Sequence, residues 1–379
     1  MSRIFSPTLD GRFAPVHVIG MAATEFVPEH DAALDELVFA AMSAALAECG
    51  LRKQDLGLSV QASLDVYDGR SISSGLTTAA AGGYLSDSYR IEGDGGLAIT
   101  AAAQAVASGD VDVAAAVAVF NPEISGSPER RRAFLEQLSS LAFEPLFDRP
   151  VGMTAQTSWA LHAAKAVEAG EMSIHDLAAL AAEEISRGAS RRSVRSGPIT
   201  ADDVLASAAL AWPLHELMLP APSAGAAAVI LAAPARAARA IGRSLVITGL
   251  GHGTGDYTWS GEWLRDPAAA TGRAAREAYR SAGVRDPERE IDVVEMSSPT
   301  PALHAPVLAA LGLGSLARER VNPSGGMASN YPGVVNGVLR LLEAADWLEA
   351  HGGRAAVHSS DTLSGLVADD VTVLVVEAA

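Results

Sequence analysis

Apolar residues recur along the chain in two rhythms. Apolar-rich stretches at 16–22, 58–66, 111–119, 226–231, 245–249, 291–296, 355–358 and 371–376 have the length of strands, and near-continuous runs such as 113–119 suggest strands buried on both faces. A further short strand is expected at 89–92. Between these runs apolar positions return at helical spacing: Ala32, Leu34, Leu37, Ala41 and Ala44 within 31–49, an Ala-rich stretch at 97–107, and Val334, Val338, Leu341, Ala345 and Leu348 within 334–350. Strands and helices interspersed in this way define an α/β protein.

The pattern also repeats. Arg320-Val321-Asn322-Pro323-Ser324-Gly325-Gly326, followed by Tyr331-Pro332-Gly333 and the helical run 334–350, reads as strand, tight turn and buried helix. A fainter copy, Arg90-Ile91-Glu92-Gly93-Asp94-Gly95-Gly96, precedes 97–107. The likeness extends outward from both paired glycines. Residues 16–20 match 245–249, Glu48-Cys49-Gly50-Leu51 matches Ser281-Ala282-Gly283-Val284, and 58–66 matches 291–296. The chain therefore reads as one duplicated unit. The strands 355–358 and 371–376 follow each other closely, whereas their counterparts 111–119 and 226–231 are separated by a long segment. The expected organisation is a first half at 1–120 and 224–232, an insertion at 121–223, a linker at 233–243 and a second half at 244–379. Charged helices at 134–141 and 174–186 and a loop at 187–198 place the insertion over the mouth of the core.

Composition sharpens this picture. Apolar residues make up 49% of the chain but aromatic residues only 5%, so the core is built of small side chains that let a helix lie between two sheets. A formal net charge of -17 repels phosphate backbones and argues against nucleic acid as a partner. The arginines of 130–132 and 187–195 are local exceptions, read as solvated faces or as a docking point for an anion such as the phosphates of coenzyme A. The single cysteine, Cys49, forbids an intrachain disulfide and, at the end of a helix, reads as a small buried hydrophobe. With no leader pattern and no apolar run long enough for a bilayer, a soluble cytoplasmic protein is expected. The histidines lack metal-ligand spacing, so no metal is expected. Gly251-His252-Gly253-Thr254-Gly255-Asp256-Tyr257 lacks a phosphate-loop lysine and reads as a loop at the pocket mouth, with His252 a substrate contact. No nucleotide cofactor follows. A Gly-x-Ser-x-Gly elbow is absent. The small residues of 71–83 suit close packing across a dimer axis.

Several phrases resemble the thiolase superfamily, especially its sterol-carrier-protein (lipid-transfer) branch. Ser223-Ala224-Gly225-Ala226-Ala227-Ala228 is similar to that branch's Ser-Asp-Gly-Ala-Ala-Ala. Glu295-Met296-Ser297-Ser298-Pro299-Thr300, followed by Ala310-Leu311-Gly312-Leu313, resembles Glu-x-His-Asp-x-Phe followed by Glu-Ala-Leu-Gly-Leu. Asn322-Pro323-Ser324-Gly325-Gly326 through Tyr331-Pro332-Gly333 resembles the turn that precedes Gly-His-Pro. The likeness is collinear over nearly the whole chain. It implies a five-layer αβαβα fold of two duplicated halves and a homodimer.

The departures bear on chemistry. Where the family carries a nucleophilic cysteine at the head of its first buried helix, this chain has Gly93-Asp94-Gly95-Gly96. Tyr331 replaces the Gly-His-Pro histidine and Ser297 replaces the polar residue of the acidic-aromatic motif, while His358, ahead of Ser364-Gly365, matches a family histidine. The resemblance implies an acyl-CoA-type or carrier-bound thioester as substrate, with coenzyme A part of the substrate rather than a cofactor. It assigns Tyr331, His358, Ser297 and Asp94 as catalytic and Gly325, Gly326, Gly95, Gly96 and His252 as substrate-binding. Without the cysteine, the expected reaction is a non-covalent carbon-carbon step such as retro-aldol cleavage, with Tyr331 as proton donor. The partner is expected to be a small OB-fold acyl-CoA-binding subunit or a second thiolase subunit. The alternative is a non-catalytic subunit of a heteromeric acyltransferase complex.

Overall fold

The structure, a computed structural model, describes residues 13–69, 72–83, 86–122, 127–188, 191–243, 245–255, 262–360 and 370–378. Ser71, Asp256-Tyr257 and Ser364-Gly365, which the sequence reading singled out, lie outside them. The strands of the core are β1 (Val16–Ala23), β2 (Leu58–Ala62), β3 (Asp87–Ile91), β4 (Val113–Phe120), β5 (Gly225–Ala232), β6 (Leu245–Thr254), β7 (Val293–Met296), β8 (Arg354–Ser360) and β9 (Asp370–Ala378). The long helices are α1 (Leu34–Glu48), α2 (Gly95–Ser108), α3 (Pro128–Ser139), α4 (Ala155–Glu168), α5 (Ile174–Arg187), α6 (Ala269–Ala282) and α8 (Asn336–His351), with the shorter α7 (His304–Ala310).

Hydrogen bonding joins the strands in the order β3-β2-β4-β5-β1-β6-β9-β8-β7. The halves meet where β1 and β6 pair antiparallel over Val16↔Ile247, His17↔Val246 and Val18↔Leu245. Outward from this seam the first half's part of the sheet, the first sheet below, runs β1, β5, β4, β2, β3, and the second half's part, the second sheet, runs β6, β9, β8, β7. Each half has two antiparallel pairings followed by a parallel one. The first half ends on a second parallel pairing, β2 with β3; in the second, Val321 makes a lone parallel bridge to Val294 at that place. The same order and the same directions recur, so the core consists of two duplicated halves.

Three apolar clusters show how the layers stack. One lies between α1 and the first sheet, with Leu37, Val38, Ala41 and Met42 against Val113, Ala115, Val117 and Val119. A central cluster contains α2 and α8 and receives the opposite faces of both sheets, including Ala114, Ala116 and Ala118 from β4 and Val357 and Leu374 from β8 and β9. The third joins the outer face of the second sheet to α6, α7 and the insertion helices α4 and α5. Strand β4 thus sends alternate residues into two clusters, as the period of two requires. The result is a five-layer αβαβα arrangement with two helices in the middle.

One expectation is corrected here. The glycines around His252 form no loop, because β6 runs through them to Thr254. Gly249, Gly251 and Gly253 share the strand face that lies on α6, where a Cβ would stand 2.3 Å from Ala278 O, 1.9 Å from Ala274 O and 2.6 Å from Ala270 O. Steps of two along the strand match steps of four along the helix, and glycine is the residue that permits this approach. Gly251→Ala is therefore expected to destabilise the fold by about 1–3 kcal/mol through overpacking. Gly314→Ala, at a site with nothing within 4 Å, should be near neutral. Chemical denaturation of both variants checks the difference.

Candidate active site

The turn before α8 is built from side chains that close on backbone. Asn322, at φ 46°, donates its N–H to Val294 O at 2.8 Å, accepts at Oδ1 from Met296 N at 2.8 Å, and donates from Nδ2 to Glu184 Oε1 at 3.0 Å. Ser324 donates to Glu295 from its N–H at 3.0 Å and from its hydroxyl at 2.8 Å. Glu295 also meets Arg340 Nη1 at 3.0 Å, and both side chains are buried. Burial pushes the Glu295 carboxyl up to about 7, against the opposing pull of Arg340. Gly325 and Gly326 sit at φ 87° and 57°, where a side chain is strained. A Cβ on Gly325 would lie 2.8 Å from Gly188 Cα, so this paired glycine seats the turn on the end of α5.

Past the turn the chain runs extended through Tyr331. Tyr331 N–H donates to Ala221 O at 2.7 Å, and its carbonyl accepts from Ser223 N at 3.2 Å. Asn330 accepts from the Ser223 hydroxyl and donates to Arg192 O. The last residues of the insertion thus grip the backbone on both sides of the tyrosine. Its side chain lines a cavity of about 490 Å³ between the first-half strand β4, through Phe120, and the insertion. The walls are largely apolar, including Trp159, Leu219 and Pro222, and they carry Glu136, Glu216 and Arg195 as charged groups. Glu136 accepts from Gln156 N at 3.0 Å, and burial raises its pKa. Arg195 donates to Leu219 O at 2.9 Å, and burial lowers its pKa. The buried indole N–H of Trp159 has no hydrogen-bond partner.

Asp94, Ser297 and His358 form a second group, linked through the head of α8. Asp94 caps α2, accepting from Gly96 N at 2.8 Å, and its other oxygen accepts from Gly337 N at 3.1 Å. Asn336, next to Gly337, donates to Ser297 Oγ at 2.7 Å. Ser297 N–H lies 3.1 Å from His358 O and 3.2 Å from His358 Nδ1. A ring nitrogen that accepts there leaves the proton on Nε2, which faces Thr271 Oγ1 at 3.0 Å. Burial holds the imidazole down at about 3, so it is neutral near pH 7. None of these three residues lines the cavity that holds Tyr331.

The glycines serve close packing. A Cβ on Gly96 would stand 2.1 Å from Ser359 Oγ, and one on Gly95 would stand 2.7 Å from Val338 Cγ2. His252 is exposed on β6, its Nε2 3.4 Å from Asp370 Oδ1. The arginine run also departs from the solvated reading. Arg192 is buried and meets Asp346 at 2.7 Å and Glu343 at 3.3 Å, and Arg187 donates to the carbonyls of Arg318 and Val321. Arg191 alone of these stays largely exposed. The side chains of Arg131 and Arg132 lie outside the described ones.

Sequence reasoning missed Glu136, Trp159 and Glu216 and read Arg195 only as part of a basic run; the four come from separate parts of the insertion. The one available signal was the capped start of α4 at Thr154, whose hydroxyl accepts from Thr157 N. Asn336 was also missed. Cys49 is buried in the α1 cluster with its thiol raised by burial, as expected of a packing residue.

No family model and no curated protein sequence matches this chain. Solved structures do. The Ltp2-ChsH2(DUF35) aldolase superposes with a TM-score of 0.74 at 20% identity, covering 96% of this chain and 97% of that one. The dimeric peroxisomal thiolase of Saccharomyces cerevisiae gives 0.71 at 13% identity, covering 96% and 97%. The fold is thiolase-like. Among the described residues no helix is long and apolar enough to cross a membrane.

Removing one partner of a buried ion pair is costly, typically about 3–5 kcal/mol. Arg340→Met is expected to lose an amount of that order. Without Arg340, Glu295 takes up its proton more readily in the folded state than in the unfolded chain. The folded variant then holds that proton to higher pH than folded wild type, whose Glu295 releases it near 7, and its deficit against wild type should grow as pH rises through about 7. Urea titrations at pH 6 and pH 8 check this; a deficit that shrinks at pH 8 contradicts it.

Proposed function

We propose that this chain binds an acyl thioester in the Tyr331 cavity and cleaves or forms a carbon-carbon bond by a non-covalent, retro-aldol type of step. The observation that carries the reading is a phenol held in a largely apolar cavity by backbone bonds on both sides, in a thiolase-like fold whose first buried helix begins with Asp94-Gly95-Gly96 in place of a nucleophile. Asp94 is already bound to two backbone N–H groups, which leaves it poorly suited to attack a thioester.

In the cleavage direction Glu136 takes the proton of the β-hydroxyl and the hydroxyl carbon becomes a carbonyl. The adjacent carbon-carbon bond breaks, and its electron pair passes into the thioester enolate. Tyr331 then protonates the α-carbon and recovers its proton from Glu136 through solvent. The Trp159 N–H and the Arg195 guanidinium offer donors to the enolate oxygen in a setting where burial strengthens such bonds. Ser297, His358 and Asp94 act as positioning residues through the head of α8, and the glycine pairs permit the close backbone approach that seats both turns. The substrate is carried by coenzyme A or a carrier protein, and no other cofactor is needed.

This reading places the chain beside the sterol-carrier-protein branch of thiolases and in the cytoplasm. The two-component name of the aldolase neighbour supports a partner subunit, such as an OB-fold acyl-CoA-binding protein or a second thiolase-like chain. A homodimer is supported by the edge position of β3, whose Tyr89 is exposed, and by exposed Ile72 and Leu76.

Tyr331→Phe keeps the shape and removes the proton. With the partner present it should lower turnover by on the order of a hundredfold or more. Unchanged turnover would favour the non-catalytic subunit instead. Glu136 must be ionised to act as base and its pKa is raised, so the acid limb of kcat/KM should lie above the ordinary glutamate value. Glu136→Gln should remove that limb; a limb that survives in this variant excludes Glu136 as its source.

A further inference from the structure

A larger groove lies on the other side of α4. It measures about 740 Å³ and is bounded by the second half of α4, by α6 and the segment before it, and by α7. Trp159 and Gln156 on α4 face the Tyr331 cavity, whereas His162, Lys165 and Ala166 face this groove. The two spaces share no lining residue.

The groove has two unlike walls. One carries Lys165, Arg265, Arg273 and Arg276, against the carboxylates Glu171 and Asp266. The other is apolar, formed by Leu303, Pro306 and Ala310 among others. Ala269, Gly272, Arg273 and Arg276 fall on one face of α6, so both arginines rise from the first turns of a 14-residue helix beside its positive end. Gly272 leaves the floor between them open, with Arg276 Nη1 3.4 Å from where a Cβ would stand.

In a chain with 45 acidic and 28 basic side chains, most cations should find carboxylates. Here, among the described residues, three do not. Lys165 donates to Leu264 O at 2.8 Å, Arg273 donates to Thr254 O, and neither they nor Arg276 lie within ion-pair distance of a carboxylate. Asp266, which does line the groove, accepts from Ala268 N at 3.2 Å just ahead of α6. His162 is buried and held down at about 4 by burial and by Lys165, so it is neutral near pH 7.

We propose that this groove is a binding site for a nucleoside diphosphate or similar organic phosphate, with its phosphates on Lys165, Arg273 and Arg276 and its base on the Leu303-Pro306-Ala310 wall. Guanidinium groups match phosphate oxygens in pairs, a helix start adds to the attraction, and the volume suits a nucleotide better than a single phosphate ion. The site is separate from the Tyr331 cavity and its occupancy does not depend on chemistry there.

Calorimetric titration of the full chain with ADP, adenosine 3′,5′-bisphosphate and pyrophosphate tests this. Saturable binding of at least one nucleotide is expected, weakened by about a hundredfold in Arg273→Glu/Arg276→Glu and unchanged in Arg280→Glu, which alters the same helix outside the groove. The double variant is first shown to be folded by its near-ultraviolet circular dichroism; Lys165→Ala, expected to weaken binding about tenfold, replaces it if it is not. Nucleotide bound more tightly than pyrophosphate confirms the apolar wall, and equal affinities overturn that part of the assignment. Absence of binding by all three probes, or binding that the groove variants leave unaltered, overturns the site. Tyr331→Phe should bind as wild type does, which keeps a failure here distinct from a failure of the proton-transfer reading.

Discussion

A single buried carboxylate holds the heads of the two central helices together. Asp94 caps its own helix through Gly96 and reaches across to Gly337 at the start of the other. Such contact requires the backbones to approach closely, and a Cβ on Gly337 would stand 2.1 Å from Asp94 Oδ1. The duplicated halves are thereby fixed at their common centre, since α2 and α8 lie in one apolar cluster with strands from both. Asn336, one residue before Gly337, carries that position to Ser297 and so to His358. The carboxylate at this place is a strut between the two helices.

The insertion is locked to the second half by polar groups rather than by apolar contact alone. Glu184 receives Asn322 and lies 3.1 Å from His304 Nε2, Asn330 bonds to Ser223 and Arg192, and Arg192 pairs with Glu343 and Asp346 of α8. Buried networks of this kind are unforgiving of partial loss, because each orphaned group retains its desolvation cost. Their consequence for function is placement: the insertion that walls the cavity also grips the backbone of Tyr331.

The fold was legible in the sequence because duplication is written in periodicity. Matching strands and helices recur in the same order, and even the match of Val321 to Ile91 of the fainter copy marks a real position: Ile91 pairs with Ala62 and Val321 makes the lone bridge to Val294. The site was legible only in part. Tyr331 stood out from its turn, but the direction of His358 depends on the pleat: Val357 faces the central helices and His358 the opposite layer, a distinction of one residue that composition does not carry. Glycines around His252 signalled a loop, whereas the reason for them is the backbone of α6, remote in sequence. Arg192 looked solvated because its partners, Glu343 and Asp346, lie about 150 residues away in the chain. Cavity walls assembled from separate turns of an insertion leave no local pattern at all.

The central claim is that bond cleavage proceeds without an acyl-enzyme. Intact-protein mass spectrometry tests it most directly, on a sample quenched during turnover of a 3-hydroxyacyl-coenzyme A thioester in the presence of the partner subunit. The account predicts a carbonyl product and a shortened thioester with the protein mass unchanged throughout. A protein species heavier by the acyl group, appearing and decaying with turnover, would contradict it.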